Sequence, residues 1–260
     1  MRSSWLQPDW PVPSVRAVCT TRGEGASLPP YNGFNLGDHV GDRPEAVAAN
    51  RRQLAQDLGV RPVFLQQVHG WRVAQLHKGI PDATEADACW TSETDVACTI
   101  MVADCLPVLF TDPQGSVVAA AHAGWRGLAG AQGQGVLEAT VDALRAKLQD
   151  SGRPSALLAW LGPCIGPTRF EVGAEVRQAF LEHSPQAAKA FVPHAAHPGK
   201  YWADLAGLAR QRLQNKGVTQ LHGNDSSPQW CTVLNQDIFF SHRRDRVSGR
   251  FAAAIWRQKT

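Results

Sequence analysis

Residues 97–127 have the sequence ACTIMVADCLPVLFTDPQGSVVAAAHAGWRG, in which three apolar runs follow one another with short polar breaks between them. Apolar runs of this length, bounded by turn residues, are typical of β-strands. The first break is Asp104-Cys105, and the second is the turn signal Asp112-Pro-Gln-Gly115. The stretch therefore predicts three strands, over residues 97–103, 106–111 and 116–121, and the last of them leads directly into His122.

The rest of the chain mixes further strand and helix signals. Strand patterns occur over residues 15–21, 63–68, 157–161, 218–221 and 251–256. Helical patterns occur over residues 44–58, 136–148, 173–183, 203–215 and 237–242. Because no change of composition marks a linker, we predict a single domain that covers residues 1–260.

A glycine series follows His122, with Gly124, Gly127, Gly130 and Gly133 spaced three residues apart. This spacing places the four near one face of a helix that continues through residues 136–148. Because glycine costs a helix about 1 kcal/mol relative to alanine, the series needs a physical reason. Either the helix packs closely on a sheet, or a ligand approaches the backbone at the helix N-terminus, where anions are favoured.

The composition is that of an ordinary globular protein, with 43% hydrophobic and 19% charged residues. A formal net charge of +3 is too small to indicate a nucleic-acid partner. The six cysteines are scattered without a CxxC pair, which indicates a reduced protein rather than a disulfide framework. There is no apolar signal core and no run near the ~18 residues that span a bilayer. We therefore expect a cytoplasmic protein without a membrane partner, and we expect a monomer.

Positive charge is concentrated near the C-terminus. Residues 242–260 contain six arginines and lysines against one aspartate, so this segment carries +5 while the remainder of the chain sums to −2. Such a segment is either a solvated surface or a source of arginines for an anionic ligand. The second alternative is chemically reasonable because a guanidinium group presents a planar fork to phosphate or carboxylate.

Two histidines and one cysteine are candidate metal ligands. His69 follows a predicted strand, Cys105 lies in a break between two strands, and His122 follows another. Imidazole and thiolate groups bind zinc or copper, and three protein ligands leave a fourth position open for water or substrate. The gaps of 36 and 17 residues match no local ligand motif. Their convergence is therefore inferred from their positions at strand ends, where active-site groups commonly lie.

Six short motifs, in consistent order along the chain, resemble those of the YfiH family. They are Phe34-Asn-Leu-Gly37, Gln67-Val-His-Gly70, Ala103-Asp-Cys-Leu-Pro107, His122-Ala-Gly-Trp-Arg-Gly127, Gly162-Pro-Cys-Ile-Gly166 and Ser241-His-Arg-Arg-Asp245. This family carries the older label of a laccase-like multi-copper polyphenol oxidase. The resemblance extends from about residue 31 to residue 257, and it covers all three candidate ligands.

The resemblance implies an α+β fold with mixed β-sheets sandwiched between helices. It also implies a catalytic metal site, most often zinc with copper as the alternative, at His69, Cys105 and His122. The implied enzyme is a purine nucleoside phosphorylase, which is a pentosyltransferase. Phosphate attacks the ribosyl carbon of adenosine, inosine, guanosine or methylthioadenosine and releases the free base and a ribose 1-phosphate. Purine nucleosides and phosphate are the expected partners, and adenosine deamination is a further activity attributed to the family.

Three further residues are candidates for binding the substrate. Arg126, at the start of the glycine-rich helix, and Arg244, in the basic segment, are candidates for the anion. Asn35, in the motif at residues 34–37, is a candidate for a substrate hydroxyl or base edge.

Two other metalloenzyme classes are disfavoured. Multicopper laccases generally build their copper centres from several His-x-His pairs, and this chain has no such pair among its nine histidines. Zinc nucleoside deaminases carry a His-x-Glu and a Pro-Cys-x-x-Cys signature. Here Pro163-Cys164 starts the second signature, but Pro167 stands where its second cysteine should be.

Two readings other than a metal-dependent phosphorylase stay open. Cys105 with His122 as its base is the thiolate–imidazole arrangement of a metal-free cysteine hydrolase or amidase. Editing of cell-wall precursors that carry a wrong amino acid is a related proposal for the family. Alternatively, a closed structural zinc site with Cys164 or His242 as fourth ligand would make the protein an interaction module.

Overall fold

The computed structural model describes residues 2–259, and its strands form three sheets. The strands are β1 (Val15–Cys19), β2 (Arg61–Phe64), β3 (Val73–Gln75), β4 (Ala88–Thr91), β5 (Val96–Val102), β6 (Leu106–Thr111), β7 (Val118–Ala123), β8 (Leu158–Leu161), β9 (Glu171–Gly173), β10 (Phe191–Pro193), β11 (Lys200–Ala203), β12 (Gln220–Gly223) and β13 (Phe251–Arg257). The α-helices are α1 (Pro44–Leu58), α2 (Trp125–Ala129), α3 (Val136–Asp150), α4 (Ala174–Leu181), α5 (Leu205–Asn215) and α6 (His242–Asp245). Short 3-10 helices cover Pro185–Ala190 and Pro228–Trp230. None of the helices in this described range is long and apolar enough to cross a membrane.

The two larger sheets are both mixed. The six-stranded sheet has the order β12-β8-β6-β7-β4-β3, with antiparallel pairs at its centre and a parallel pair at each edge. The four-stranded sheet has the order β1-β13-β5-β2, in which only β2 and β5 run parallel. A smaller antiparallel sheet has the order β10-β11-β9. Because β1 pairs with β13, strands from the two ends of the chain lie side by side in one sheet.

The two large sheets pack against each other, and helices cover their outer faces. Side chains alternate along β6, so Leu109 points toward the four-stranded sheet while Val108 and Phe110 point to the helix side. α3, α4 and α5 pack on that side, and α1 packs on the outer face of the four-stranded sheet. This layering confirms the α+β fold with mixed sheets between helices. It also explains the unbroken apolar runs, since β5, β6 and β7 are buried along their whole length.

The glycine-rich segment differs from the expected single helix. α2 ends at Ala129, Gly130 adopts a φ of 65°, and α3 starts only at Val136. A side chain on Gly130 would place its Cβ 1.9 Å from the carbonyl oxygen of Gln134, so glycine is required at this turn. The glycines therefore interrupt the helix, and the expectation of one continuous helix through residue 148 is wrong.

The helix predicted over residues 237–242 is also wrong. α6 begins only at His242, because the Ser241 hydroxyl accepts the backbone N–H of Arg244 as an N-cap. β2 ends at Phe64 rather than at residue 68, so the chain enters a loop before it reaches His69. The sequence patterns do not reveal β3, β4, β9, β10 or β11, each of which is only three or four residues long.

Replacement of Ile100 by alanine tests the packing between the two large sheets. Ile100 lies on β5 and is fully buried in a cluster to which both sheets contribute. Because the change leaves a cavity, we expect the free energy of unfolding in urea to fall by about 2–5 kcal/mol. The control Val192→Ala, at a strand residue that is 60% exposed, should change it by less than about 0.5 kcal/mol. Equal effects of the two substitutions would contradict the layered core.

Candidate metal centre

The structure brings His69, Cys105 and His122 together in space. Their ligand atoms all lie within 4.8 Å of one another, and the Sγ of Cys105 lies 3.7 Å from Nε2 of His69. The two imidazole rings meet edge to face, with 4.7 Å between their centroids. Three donor atoms at this spacing can share one metal ion.

Strand register places two of the three ligands. β6 and β7 pair so that Pro107 lies opposite His122, and Cys105 directly precedes β6. Cys105 and His122 therefore lie at the same end of the six-stranded sheet. Side chains alternate along β7, so the side chain of His122 points to the same face as those of Val118 and Ala120, which is the face toward the four-stranded sheet.

The third ligand, His69, comes from the loop after β2 and adopts a φ of 62°. A positive φ is uncommon outside glycine, and it persists only where the surroundings impose it. The side-chain amide of Gln67, two residues earlier, donates to the carbonyl oxygen of Met101 and accepts the backbone N–H of Met101, each at 2.8 Å. These two hydrogen bonds fasten the loop to β5 and so hold His69 beside Cys105.

The carboxylate of Asp87 is fully buried and connects the loop to His122. It accepts the backbone N–H groups of Val68, His69 and Gly70 at 3.2, 2.9 and 2.7 Å. It also lies 2.8 Å from Nδ1 of His122, which donates its proton to it. This hydrogen bond selects the tautomer that leaves Nε2 of His122 free as an acceptor. A carboxylate in this position is the usual partner that orients a metal-binding histidine.

In the absence of metal, the site favours a thiolate next to an imidazolium. Burial would raise the pKa of Cys105, but the charge and hydrogen bonds of the two histidines outweigh burial and lower the pKa to about 6. Burial would lower the pKa of His122, yet the charge of Cys105 and the hydrogen bond to Asp87 raise it to about 9. The pKa of Asp87 is lowered despite burial, because His122 and the backbone donors stabilise its charge. A thiolate is the form of cysteine that binds metal, so the site is electrostatically prepared for a cation.

Two glycines make room for the ligands. A Cβ on Gly124, the residue before α2, would lie 2.8 Å from Cδ2 of His69 and 3.0 Å from Sγ of Cys105. A Cβ on Gly127 would lie 2.5 Å from the carbonyl oxygen of Gly70. At these two positions glycine therefore serves close packing: it lets α2 lie against the loop that carries His69.

A cavity of about 470 Å³ opens beside the three ligands. Volumes of roughly 300–1,000 Å³ are typical of small-molecule sites. The cationic part of its lining consists of Arg126, Arg243 and Arg250, and the imidazoles of His39 and His242 also line it. The apolar part includes Met101, Ile165, Phe170 and Leu205. Because cationic groups exceed anionic ones, the cavity favours a ligand with an anionic group.

The donor set fits zinc or copper. Two imidazole nitrogens and one thiolate suit either ion, and three ligands leave one position open. Within residues 2–259, no fourth histidine, cysteine, aspartate or glutamate joins this set. Cys164 is buried outside the cavity, where its sulfur accepts a hydrogen bond from Asn224, and His242 is exposed. Neither residue joins the three ligands in a closed four-ligand site in this arrangement.

Arg126 is the one predicted substrate residue that the structure places at the cavity. Its guanidinium lies 4.4 Å from the ring centroid of Trp125 and is exposed, so its N–H donors are accessible. A stacked guanidinium is held in a defined orientation without its donors being used up. Arg126 is thus suited to an anionic ligand.

Arg244 lies outside the cavity, which corrects its assignment as an anion ligand. Its guanidinium forms a bidentate salt bridge with Asp245, in which Nε donates to Oδ1 at 2.8 Å and Nη2 donates to Oδ2 at 2.7 Å. It also donates to the carbonyl oxygens of Thr232 and Phe239, at 2.8 and 3.1 Å. Its charge and its donors are therefore used within the protein. The preceding residue, Arg243, lines the cavity instead.

Asn35 is also outside the cavity, which corrects its assignment to a substrate hydroxyl or base edge. It is fully buried, and its amide donates to the carbonyl oxygen of Gly37 and to the carboxylate of Asp42. Its side-chain oxygen accepts the backbone N–H groups of Gly37 and Arg250, at 2.9 and 2.8 Å. Asn35 therefore acts on the cavity only by placing the backbone of Arg250.

A second cluster, formed by Glu171, His194 and His197, is built differently. Nδ1 of His194 accepts the backbone N–H groups of Ala196 and His197, so a neutral His194 carries its proton on Nε2. That Nε2 lies 3.4 Å from Oε2 of Glu171, and Nδ1 of His197 lies 2.6 Å from the same oxygen. Both rings donate to the carboxylate, which leaves His194 no free nitrogen toward the centre of the cluster. The cluster is therefore a hydrogen-bonded anchor for Glu171 and not a metal site.

The sequence patterns did not single out Asp87, Gln67, His39, Arg243 or Arg250. A weak signal for Asp87 is present, since it lies between Ala86 and Ala88 just before an apolar stretch. Gln67 and Arg243 lie within the motifs at residues 67–70 and 241–245, but a motif does not by itself reveal which of its side chains faces the cavity. His39 and Arg250 carry no local signal, because only the fold brings them to the cavity.

Known proteins resemble this chain over almost its full length. The family model described as multi-copper polyphenol oxidoreductase laccase matches residues 16–258. A purine nucleoside phosphorylase of Pseudomonas aeruginosa is 50% identical over 258 residues, which cover 98% of this chain and 99% of the relative. The purine nucleoside phosphorylase YfiH of Escherichia coli is 48% identical, with the same shares of 98% and 99%.

Solved structures share the fold. A Neisseria meningitidis protein superposes with a TM-score of 0.88 and 43% identity, over 99% of this chain and 100% of that one. YlmD from Geobacillus stearothermophilus superposes with a TM-score of 0.83 and 30% identity, over 98% and 96% of the two chains. The layered sheets and the helices on them are therefore common to proteins of the same length.

Asp87→Asn tests whether the buried carboxylate orients His122. Asparagine keeps the shape but loses the charge and one acceptor group, so four donors compete for one oxygen. We expect zinc affinity, measured by competition with a chromophoric chelator, to fall about 10- to 100-fold. The control Asp112→Asn changes another buried carboxylate, one that accepts backbone N–H groups in a turn, and should leave zinc affinity unchanged. Unaltered zinc affinity in a folded Asp87→Asn protein would contradict the orienting role.

Proposed function

This chain belongs to the multi-copper polyphenol oxidoreductase laccase family, and on that premise we propose that it is a metal-dependent purine nucleoside phosphorylase. Two curated relatives that match nearly the whole chain are named purine nucleoside phosphorylases, and one of them is YfiH, so the resemblance to the YfiH family is confirmed. One observation carries the proposal: three residues that could hold a metal ion share a single cavity with three arginines.

Phosphorolysis needs a site that binds an anionic nucleophile and a purine nucleoside together, and the lining of this cavity has groups suited to both. A phosphate oxygen forms a bond to C1′ of the ribose while the bond from C1′ to the purine nitrogen breaks. The electron pair of that bond leaves with the base, which takes up a proton. The anionic nucleophile must be held close to C1′, and Arg126, Arg243 and Arg250 supply cationic donors for it. Met101 and Phe170 offer an apolar wall for the purine ring.

His69, Cys105 and His122 would hold the metal ion, which we assign as zinc with copper as the alternative. When bound, the ion supplies a Lewis acid beside the substrate. Asp87 keeps Nε2 of His122 free, and Gln67 holds the loop of His69 in place. These two residues act through the ligands and not on the substrate.

The substrates we propose are adenosine, inosine, guanosine and methylthioadenosine, with phosphate as co-substrate. Deamination of adenosine in the same cavity is proposed as a further activity. We also propose that the protein acts as a cytoplasmic monomer of one domain, without a nucleic-acid partner. The family description names a laccase, but the described residues offer a single ligand set with free donor atoms, and a multicopper enzyme needs several. Phenol oxidation by copper-loaded protein would reinstate that reading.

Cys105→Ala tests the proposed function, because it removes the thiolate ligand. The zinc content, measured by inductively coupled plasma mass spectrometry, should fall from about one equivalent per chain to the background level. Release of hypoxanthine and ribose 1-phosphate from inosine, which should require phosphate in the unaltered protein, should be lost with it. The control Cys19→Ala changes a buried thiol on β1 and should keep both metal and activity. Unimpaired phosphorolysis by metal-free Cys105→Ala protein would overturn the proposal.

A metal-free cysteine hydrolase is the second candidate, and one contact favours it. Oδ1 of Asp87 lies 2.8 Å from Nδ1 of His122, and the ligand atoms of His122 and Cys105 lie within 4.8 Å of each other, which is the order of carboxylate, imidazole and thiol in a nucleophilic triad. The open cavity beside the thiol would then bind the carbonyl group of an amide or ester. Amide bonds in cell-wall precursors are the corresponding substrate class.

Alkylation with iodoacetamide separates the two candidates. Protein stripped with a chelator should be alkylated at Cys105 at a rate that rises with pH around a midpoint of about 6, because the reactive thiolate forms as pH rises through the pKa. The protein as isolated should resist alkylation until the chelator is added, since a bound metal ion protects the thiolate. Immediate alkylation of the protein as isolated would favour the hydrolase. A midpoint near ~8.5, the value of a free thiol, would contradict the thiolate–imidazolium pair.

A further inference from the structure

Arg243 stands at the start of α6, and three contacts determine its place. Its backbone N–H donates to Oδ2 of Asp104 at 2.6 Å. Its guanidinium Nη1 donates to the carbonyl oxygen of Glu171 at 3.1 Å, and the guanidinium carbon lies 5.6 Å from the ring centroid of Phe170. The guanidinium is therefore held against the cavity wall while most of its five N–H donors stay free.

Asp104 is held in an unusual backbone conformation, and its carboxylate makes two side-chain contacts. It adopts a φ of 98°, which is strained for any residue except glycine and persists only where the surroundings demand it. Its Oδ1 accepts the hydroxyl of Thr232 at 2.6 Å, and its Oδ2 accepts the N–H of Arg243. Both carboxylate oxygens therefore accept hydrogen bonds. Because Asp104 directly precedes Cys105, its bond to Arg243 connects α6 to the segment that carries this candidate ligand.

The charge of Arg243 differs from that of its neighbour. Arg244 is neutralised by a two-pronged pair with Asp245, whereas the contacts of the Arg243 guanidinium are a carbonyl oxygen and an aromatic ring. The nearby carboxylate of Glu171 is engaged by His194 and His197. Arg243 thus presents positive charge to the same cavity that contains the metal ligands.

We propose that Arg243 binds the phosphate oxygens of the co-substrate, and that Asp104 is the positioning residue that holds Arg243 beside Cys105. The inference rests on the proposed phosphorolysis, and it adds the residue that selects phosphate as the nucleophile. The chemistry recognised is a phosphate dianion, which reaches the site as free orthophosphate in the forward reaction or as ribose 1-phosphate in the reverse. Arginine suits both because its planar fork pairs with two phosphate oxygens.

Titration calorimetry of the zinc-loaded protein with orthophosphate, and then with ribose 1-phosphate, tests the binding directly. Arg243→Gln should weaken both by about 10- to 100-fold, the effect of losing a charged hydrogen-bonding partner. Arg243→Lys should recover only part of the loss, because an ammonium group cannot form the fork. The control Arg169→Gln removes an exposed arginine next to Phe170 that does not line the cavity, and binding should stay unchanged.

Steady-state assays extend the test to Asp104. In Arg243→Gln and Asp104→Asn, the KM for phosphate should rise while the KM for inosine and the zinc content stay near those of the unaltered protein. A merely structural role would instead lower kcat and zinc content together. The inference would be overturned if the Arg243→Gln protein bound orthophosphate as tightly as the unaltered protein. It would also be overturned if the unaltered protein did not bind orthophosphate. Arg243-dependent phosphate binding without any release of base would uphold the inference and refute the phosphorylase.

Discussion

The buried carboxylate of Asp87 is the constraint on which the candidate metal centre depends. An ionised carboxylate costs several kcal/mol to remove from water, so its oxygens must be satisfied wherever it is buried. Four donors satisfy it: three successive backbone N–H groups over residues 68–70 and Nδ1 of His122. Because these donors belong to the two segments that carry the histidine ligands, one electrostatic requirement sets both the loop conformation and the ring orientation.

Close packing adds a steric constraint to this electrostatic one. Gly124 and Gly127 leave no space for a side chain between α2 and the loop of His69, so the helix can pass directly over the ligands. The same helix carries Arg126 to the cavity, and α6 carries Arg243 to it. Candidate metal ligands and cationic groups thus meet in one space because two short helices begin there. A phosphate and a nucleoside would have to share that space for phosphorolysis to occur.

Most of the fold could be predicted from periodicity. β5, β6 and β7 are buried on both faces and therefore form apolar runs, and α1 is bounded by Pro44 and Gly59. The failures have identifiable causes. Residues 237–242 are apolar enough for a helix, but the N-cap at Ser241 starts the helix later. The motif does not distinguish Arg243 from Arg244. In α6, however, adjacent side chains point in different directions, so that Arg243 lines the cavity and Arg244 contacts Asp245.

The residues alone established the ligand types, the order of the main strands and helices and the resemblance to a family, because side-chain chemistry and hydrophobic period are local properties of a chain. They left open how His69, Cys105 and His122 meet, which arginine faces the cavity and what holds His122. Those answers depend on distances between residues far apart in sequence, such as the 35 positions between Asp87 and His122 or the 139 between Asp104 and Arg243. Such contacts exist only once the sheets have paired and packed, since sheet register and burial decide which polar groups must satisfy one another.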